Sequence, residues 1–259
     1  MNLTFYKYQG TGNDFVMIDN RNNVFDKTNI ELIQQLCDRR FGIGADGLIL
    51  IENSADLDFN MIYFNADGSQ SFCGNGSRCA VSFAKYLGII QSQALFLSTD
   101  GEHEAWINEQ GEVSLKMHDV EGIEKGNDYY FINTGSPHYI LEVRDVDEVN
   151  VFDIGRKVRY NNRFAAEGTN VNFVCYKNEG LDIRTYERGV EDETLSCGTG
   201  VTAAALSWAE RFNKPYGKVA VKTQGGTLQV AFKQNETGGF YDIWLIGPAV
   251  QVFKGEIKI

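Results

Sequence analysis

The sequence predicts an α+β protein with two pseudo-symmetric domains from internal duplication. Each is expected to be a mixed, mostly antiparallel β-sheet or barrel wrapped around a central helix. Three observations carry this expectation. The chain matches itself at an offset near 124 residues: Gly12 with Gly135, Phe15 with Tyr139, Phe41 with Phe164, Tyr63 with Tyr186, Cys73 with Cys197, and Thr99 with Thr223. Strand-like patterns dominate over helical ones. Finally, "RCAVSFAKYLG" (78–88) and "VTAAALSWAERF" (201–212) are small or apolar on nearly every side. A helix of that kind is buried all round, and its Ala and Ser residues let strands approach closely.

Each half follows one order. A Gly-rich turn comes first, in "QGTGNDFVMI" (9–18) and "NTGSPHYIL" (133–141). A helix follows, such as "NIELIQQLCDRR" (29–40). Next is an apolar strand, "GLILIE" or "VNFVCY", and then another, "LDFNMIYFN" or "LDIRTYE". A Cys-Gly-x-Gly turn then opens the apolar helix. The first such helix meets a C-cap at Gly88, and the second ends before Pro215. A hairpin stack closes each half: 94–119 alternates in period two around "TDGE" and "EQGE", and 218–232 around "QGG". The expected domains are 1–118 with 249–259, and 119–248.

The 259 residues suit one large or two ordinary domains, and a hydrophobic content of 43% supports a real core. A formal net charge of −11 argues against nucleic-acid binding through a basic surface. No apolar run reaches membrane-spanning length, and "MNLTFYKYQGTGNDF" has no basic-then-apolar signal pattern. The expected location is cytoplasmic. Five cysteines, an odd number, argue against a disulfide framework. Without a CxxC pair, and with His103, His118 and His138 far apart, no metal site is expected. Neither a GxxxxGK[ST] phosphate loop nor a dinucleotide fingerprint is present.

Chemistry is expected at "FCGNGSRCAVSFA" (72–84) and "LSCGTGVTAAA" (195–205). A helix N-terminus has unpaired N–H groups and a partial positive charge, so it attracts anions and lowers the pKa of a cysteine. The following glycines let the backbone approach a ligand. Each motif offers a thiol beside a nest for a carboxylate, and two opposed thiols are what inversion at a carbon requires. Cys37, Cys79 and Cys175 lie in apolar runs and read as buried small hydrophobes.

The stretches "GTGNDFVMID", "YFNADGSQSFCGNGSRC" and "YERGVEDETLSCGTGVTAAA" closely resemble the diaminopimelate epimerase family, and the resemblance spans essentially the whole chain. It implies the fold of that family. It also implies a cofactor-independent interconversion of LL- and meso-2,6-diaminopimelate in lysine and peptidoglycan-precursor synthesis, and a homodimer. It implies Cys73 and Cys197 as the catalytic pair. Gly74, Asn75, Gly198 and Thr199 would form the carboxylate nest. Asn13, Asn65, Asn170, Glu187 and Arg188 would bind substrate, with Arg188 on the distal carboxylate. Glu187 and His138 would stand near the thiols. The strand "VQVFKGEIKI" would return to the first domain. Two positions depart from the common pattern: Ser136 replaces Asn in "GSPH", and Gly47 replaces Gln.

Other readings remain open at this point. Asn13, Asn65 and Asn170 could serve backbone geometry, His138 could be structural, and Glu187–Arg188 could be a surface ion pair. A proline or hydroxyproline racemase would use the same two-thiol logic. A phenazine-pathway-like isomerase shares the fold type without the cysteines. A thiol redox protein would pair Cys73 with Cys197, and an anion-binding module would tolerate their loss.

Overall fold

A computed structural model describes residues 2–259. The described chain divides into two compact units, one of residues 2–115 and 247–259 and one of residues 116–246.

The first unit contains β1 (Asn2–Gly10), β2 (Asn13–Asp19), α1 (Ile30–Cys37), β3 (Gly47–Glu52), β4 (Phe59–Asn65), α2 (Gly74–Tyr86), β5 (Gln93–Ser98), β6 (Gly101–Ile107) and β7 (Glu112–Lys116). The pairings run β1–β2 antiparallel, β2–β3 parallel, β3–β4 antiparallel, β4–β5 parallel, then β5–β6 and β6–β7 antiparallel. The last strand, β17 (Val250–Lys258), pairs antiparallel with β1. Strand β3 is apolar along its length because both faces are covered. Leu48 and Leu50 pack on Ile33 and Leu36 of α1, while Ile49 lies against Gly76 of α2. Helix α2 touches β1, β2, β3, β4, β6 and β17, which explains why every residue from Gly74 to Val81 is buried.

The second unit contains β8 (Glu124–Lys125), β9 (Tyr129–Asn133), β10 (Pro137–Glu142), α3 (Val151–Arg159), β11 (Asn170–Lys177), β12 (Gly180–Glu187), β13 (Asp192–Thr194), α4 (Gly198–Arg211), β14 (Tyr216–Thr223), β15 (Gly226–Gln234) and β16 (Phe240–Pro248). Its pairings repeat the first unit step by step. They are β9–β10 antiparallel, β10–β11 parallel, β11–β12 antiparallel, β12–β14 parallel, then β14–β15 and β15–β16 antiparallel. The short β13 is added beside β12. Helix α3 packs Val151 on Val171, Phe173 and Tyr186, as α1 packs on β3. Helix α4 is the central helix, touching β9, β10, β11, β12, β14 and β15.

The shared topology confirms the α+β duplication and corrects two of its residue matches. Val16 pairs with Leu48 as Tyr139 pairs with Val171, so Tyr139 corresponds to Val16 and His138 to Phe15. Ile49 pairs with Tyr63 as Asn172 pairs with Thr185, so Thr185, not Tyr186, corresponds to Tyr63. In a strand, a slip of one residue moves a side chain to the opposite face. Tyr139 and Tyr186 face α3; their neighbours His138 and Thr185 face α4.

Helix boundaries also differ from expectation. The central helices begin at Gly74 and Gly198, because each cysteine is itself the extended N-cap. Gly88 (φ 72°) caps α2 as expected, with Gly88 N–H on Lys85 O and Ile89 N–H on Ala84 O. Helix α1 stops at Cys37, short of Arg40. Asp38 turns extended, and its carboxylate accepts the N–H groups of Arg40 and Phe41, starting a turn instead.

Candidate active site

In the first unit the site begins at the tight turn Thr11–Gly12, both with positive φ (52° and 86°), which sends Asn13 into β2. Asn13 Nδ2 donates to Asp46 Oδ2 at 2.6 Å, which fixes the amide and turns Oδ1 toward the mouth of α2. There the Cys73 thiol donates to Asn13 Oδ1 at 3.6 Å, and Asn75 Nδ2 reaches the same oxygen at 3.4 Å. Cys73 Sγ also accepts the Gly76 N–H at 3.3 Å, so the half-buried thiol caps its own helix.

Behind this mouth lies Arg78, fully buried, with Nη1 on Asn75 Oδ1 (3.0 Å), Nη2 on Thr11 Oγ1 (3.1 Å), and Nε unpaired. Burial lowers its pKa to about 10, leaving it a cation at neutral pH. It adds positive charge where α2 already presents its N–H groups. Around Asn13, Asp46 accepts from Arg39 at 2.6 Å. Asp14 is bound by Arg39 (2.6 Å) and Lys7 (2.7 Å). Burial raises the Asp14 pKa, but these bonds outweigh it and hold the group down at about 2.

Asn65 is occupied within its own turn. Tyr63 Oη donates to its Oδ1 at 2.9 Å, and its Nδ2 donates to Ser69 Oγ (3.0 Å) and Ser71 Oγ (3.2 Å). Gly47 explains itself here. A Cβ at that position would stand 2.5 Å from the Tyr63 ring and 2.4 Å from Phe64 O, so the space of a larger side chain is filled by Tyr63.

In the second unit Cys197 stands at the N-cap of α4, and its Sγ lies 3.5 Å from Thr199 Oγ1. Thr199 Oγ1 is in turn 3.0 Å from His138 Nε2. His138 is completely buried, and burial together with the Arg188 charge lowers its pKa to about 3, so the ring is neutral. Asn172 Nδ2 lies 3.1 Å from His138 Nδ1. Gly200 permits this packing, since a Cβ there would stand 2.7 Å from Asn172 Oδ1.

Arg188 is set by its backbone N–H on Asn170 Oδ1 (2.9 Å), by Nη1 on Glu167 O (2.9 Å), and by Nη2 near Ser136 Oγ (3.4 Å). Asn170 Nδ2 donates to Pro137 O at 3.1 Å, so its amide is engaged with the chain. Glu187 Oε2 accepts from Thr194 at 2.8 Å.

The first unit thus gathers Asn13, Asn75 and Gly76 around Cys73, with Gly74 opening α2 beside it. The second joins Thr199 and His138 to Cys197, and Asn170 and Ser136 to Arg188. Asn65 bonds inside its own turn and Glu187 bonds Thr194. Burial pushes Cys37 up to about 11 and Cys79 up to about 12, which keeps both thiols protonated. Among the described residues no group of three or more His, Cys, Asp or Glu side chains could share a metal ion, and no helix is long and apolar enough to cross a membrane.

The protein has the fold of the phenazine biosynthesis protein of the PhzF family from Bacillus anthracis (TM-score 0.78, 14% identity, 100% of both chains). It also has the fold of a hydroxyproline epimerase from Agrobacterium vitis (TM-score 0.68, 13% identity, 99% of this chain and 92% of that one). At such identities only the fold is shared. In sequence it is 50% identical over 257 residues to the diaminopimelate epimerase of Flavobacterium psychrophilum, covering 98% of this chain and all of that one. It is 42% identical over 260 residues to that of Chlorobaculum tepidum, covering 96% and 99%. The family model for diaminopimelate epimerase matches residues 5–122 and 130–252, and the chain belongs to that family.

Proposed function

We propose that the protein interconverts LL- and meso-2,6-diaminopimelate by a two-base mechanism, without a cofactor, in the synthesis of lysine and peptidoglycan precursors. The observation that carries the reading is the repetition of one device. Each of two units of matching topology sets a cysteine at the N-cap of its buried central helix, within a chain matched to the family nearly end to end.

Each unit acts as one epimerase domain and brings one thiol. A thiolate on one face takes the α-proton, breaking C–H and forming S–H. The opposite thiol gives its proton to the other face, breaking S–H and forming C–H. After one turnover the two sulfurs have exchanged protonation states. The charge on the carbanion moves into the α-carboxylate, which the N–H groups of Gly74, Asn75, Gly198 and Thr199 receive. The buried Arg78 strengthens that field. Asn13 and Asn65 bind the substrate in the first domain. Asn170, Glu187 and Arg188 bind it in the second, with the planar fork of Arg188 on the distal carboxylate. Asn65 and Asn170 do so by exchanging bonds they now make within the chain. His138 and Glu187 support the thiols. The protein works as a homodimer in the cytoplasm.

The test is incubation of the pure protein with LL-diaminopimelate, without pyridoxal phosphate, followed by chiral separation. Formation of the meso isomer is expected. No meso product, or equal turnover of proline, overturns the reading.

A further inference from the structure

The two copies of the duplication differ at three matched positions on the face toward the central helix. The first unit has Phe15, Ile49 and Tyr63; the second has His138, Asn172 and Thr185. The glycines confirm the match: a Cβ on Gly76 would meet Ile49, and one on Gly200 would meet Asn172. An apolar layer in one copy is a buried polar network in the other, with His138 and Asn172 fully buried and Thr185 nearly so. Buried polar groups are tolerated when each is bonded, and here the bonds have a direction.

That direction can be read from one end. Asn172 Nδ2 lies 3.4 Å from Tyr139 O, a carbonyl that can only accept. Its Oδ1 accepts from Thr185 Oγ1 at 3.0 Å. The amide is therefore fixed with Nδ2 toward His138 Nδ1, which must accept. The proton of the neutral ring then sits on Nε2 and is donated to Thr199 Oγ1. That fills one lone pair of Thr199 Oγ1 and leaves its hydroxyl hydrogen to point at Cys197 Sγ, 3.5 Å away. A donor aimed at sulfur stabilises the thiolate over the thiol. At Cys73 the sulfur accepts the Gly76 N–H, while the neighbouring Asn13 Oδ1 is an acceptor for the thiol proton.

We infer that Asn172 and Thr185 are positioning residues: they fix the tautomer of His138 and, through Thr199, favour the thiolate of Cys197. This rests on the two-thiol reading above, and it adds how Cys197 is prepared to take a proton in the empty protein. Nearby, Arg188 is the charged group that bears on His138, and it too disfavours a second ring proton.

Two measurements on the substrate-free protein test the inference. With 15N-labelled histidine, and His103 and His118 assigned by single substitution, NMR should show His138 protonated at Nε2 alone. In Asn172→Asp, a carboxylate faces Nδ1, and the proton should appear there. In parallel, iodoacetamide labelling is mapped to each cysteine by mass spectrometry near neutral pH. Thr199→Val should slow alkylation of Cys197 about tenfold, equivalent to about one pKa unit. Cys73 should be unchanged, and Thr199→Ser should restore the rate. A wild-type His138 protonated at Nδ1, or Cys197 labelled equally fast in Thr199→Val, overturns the inference. If both readouts hold and LL-diaminopimelate is not turned over, the proton chain stands and the epimerase reading falls.

Discussion

Gly200 tests the packing beneath the second cysteine. In Gly200→Ala the new Cβ would stand 2.7 Å from Asn172 Oδ1, 3.3 Å from His138 Cε1 and 3.4 Å from Cys197 Cβ. An Ala in a helix gains about 1 kcal/mol over Gly. Against it, overpacking a filled core costs about 1–3 kcal/mol. Displacing Asn172 also breaks its bond from Thr185, about 1 kcal/mol more. The net expectation is a loss of about 1–3 kcal/mol. Gly76→Ala is the control at the matched position. Its Cβ would meet only the flexible ends of Ile49 (3.1 Å) and Met61 (3.4 Å) and the Cβ of Cys73 (3.4 Å). There the helix gain and the crowding nearly cancel. Thermal unfolding reads the difference, at about 2–4 °C per kcal/mol for a chain of this size. A Gly200→Ala protein melting with wild type, or above Gly76→Ala, would refute the close approach of α4 to Asn172.

Three further outcomes are expected. Cys73→Ala or Cys197→Ala should each lower epimerisation at least ~10²-fold, the scale of a lost acid or base, while Cys79→Ala keeps most of it; chiral chromatography of the product decides. Arg188→Lys keeps the charge but loses the fork. With charge-assisted bonds worth about 1.5–3 kcal/mol, kcat/KM for LL-diaminopimelate should fall by about one to two orders of magnitude, and near-normal kinetics would remove Arg188 from substrate binding. The third outcome concerns pH. The folded protein holds His138 at about 3, below its ordinary 6.5, so the unfolded chain binds the extra proton between these values. That stabilising contribution is full above pH 6.5 and is lost as pH falls toward 3, with a slope approaching about 1.4 kcal/mol per pH unit. Urea melts at pH 7, 6 and 5 should show this decline, and His138→Gln should flatten it.

The fold was legible because duplication and burial both leave marks in sequence. Two copies of Cys-Gly-x-Gly, each before a helix without a polar face, located both central helices. The residue-level alignment was less secure, because aromatic identity is a poor guide to register. Tyr63 and Tyr186 look alike but face opposite layers, and only the pairing of β11 with β12 shows it. Asn172 and Thr185 escaped notice for a related reason: within "VNFVCY" and "LDIRTYE" they read as ordinary members of strands. A signal existed. Val171 and Phe173 flank Asn172 on the other face, which leaves a polar residue pointing at a helix already read as buried. Arg78 was hidden similarly, as the one charge in the first turns of an apolar helix. The Gly47 departure was visible in sequence, but its explanation in the Tyr63 ring required coordinates.

The two-base claim is tested most directly by isotope entry during the first fraction of reaction. A thiol carries one hydrogen, so in heavy water the donor sulfur is deuterated before it acts, while the abstracting sulfur holds the substrate's own proton. The reaction is started from LL-diaminopimelate in heavy water, stopped early, and each isomer is weighed by mass spectrometry after chiral separation. Early meso product should carry deuterium at the inverted carbon, with the remaining LL substrate nearly unlabelled. Early meso product that is mostly unlabelled would mean that one group serves both faces, and would contradict the paired roles of Cys73 and Cys197.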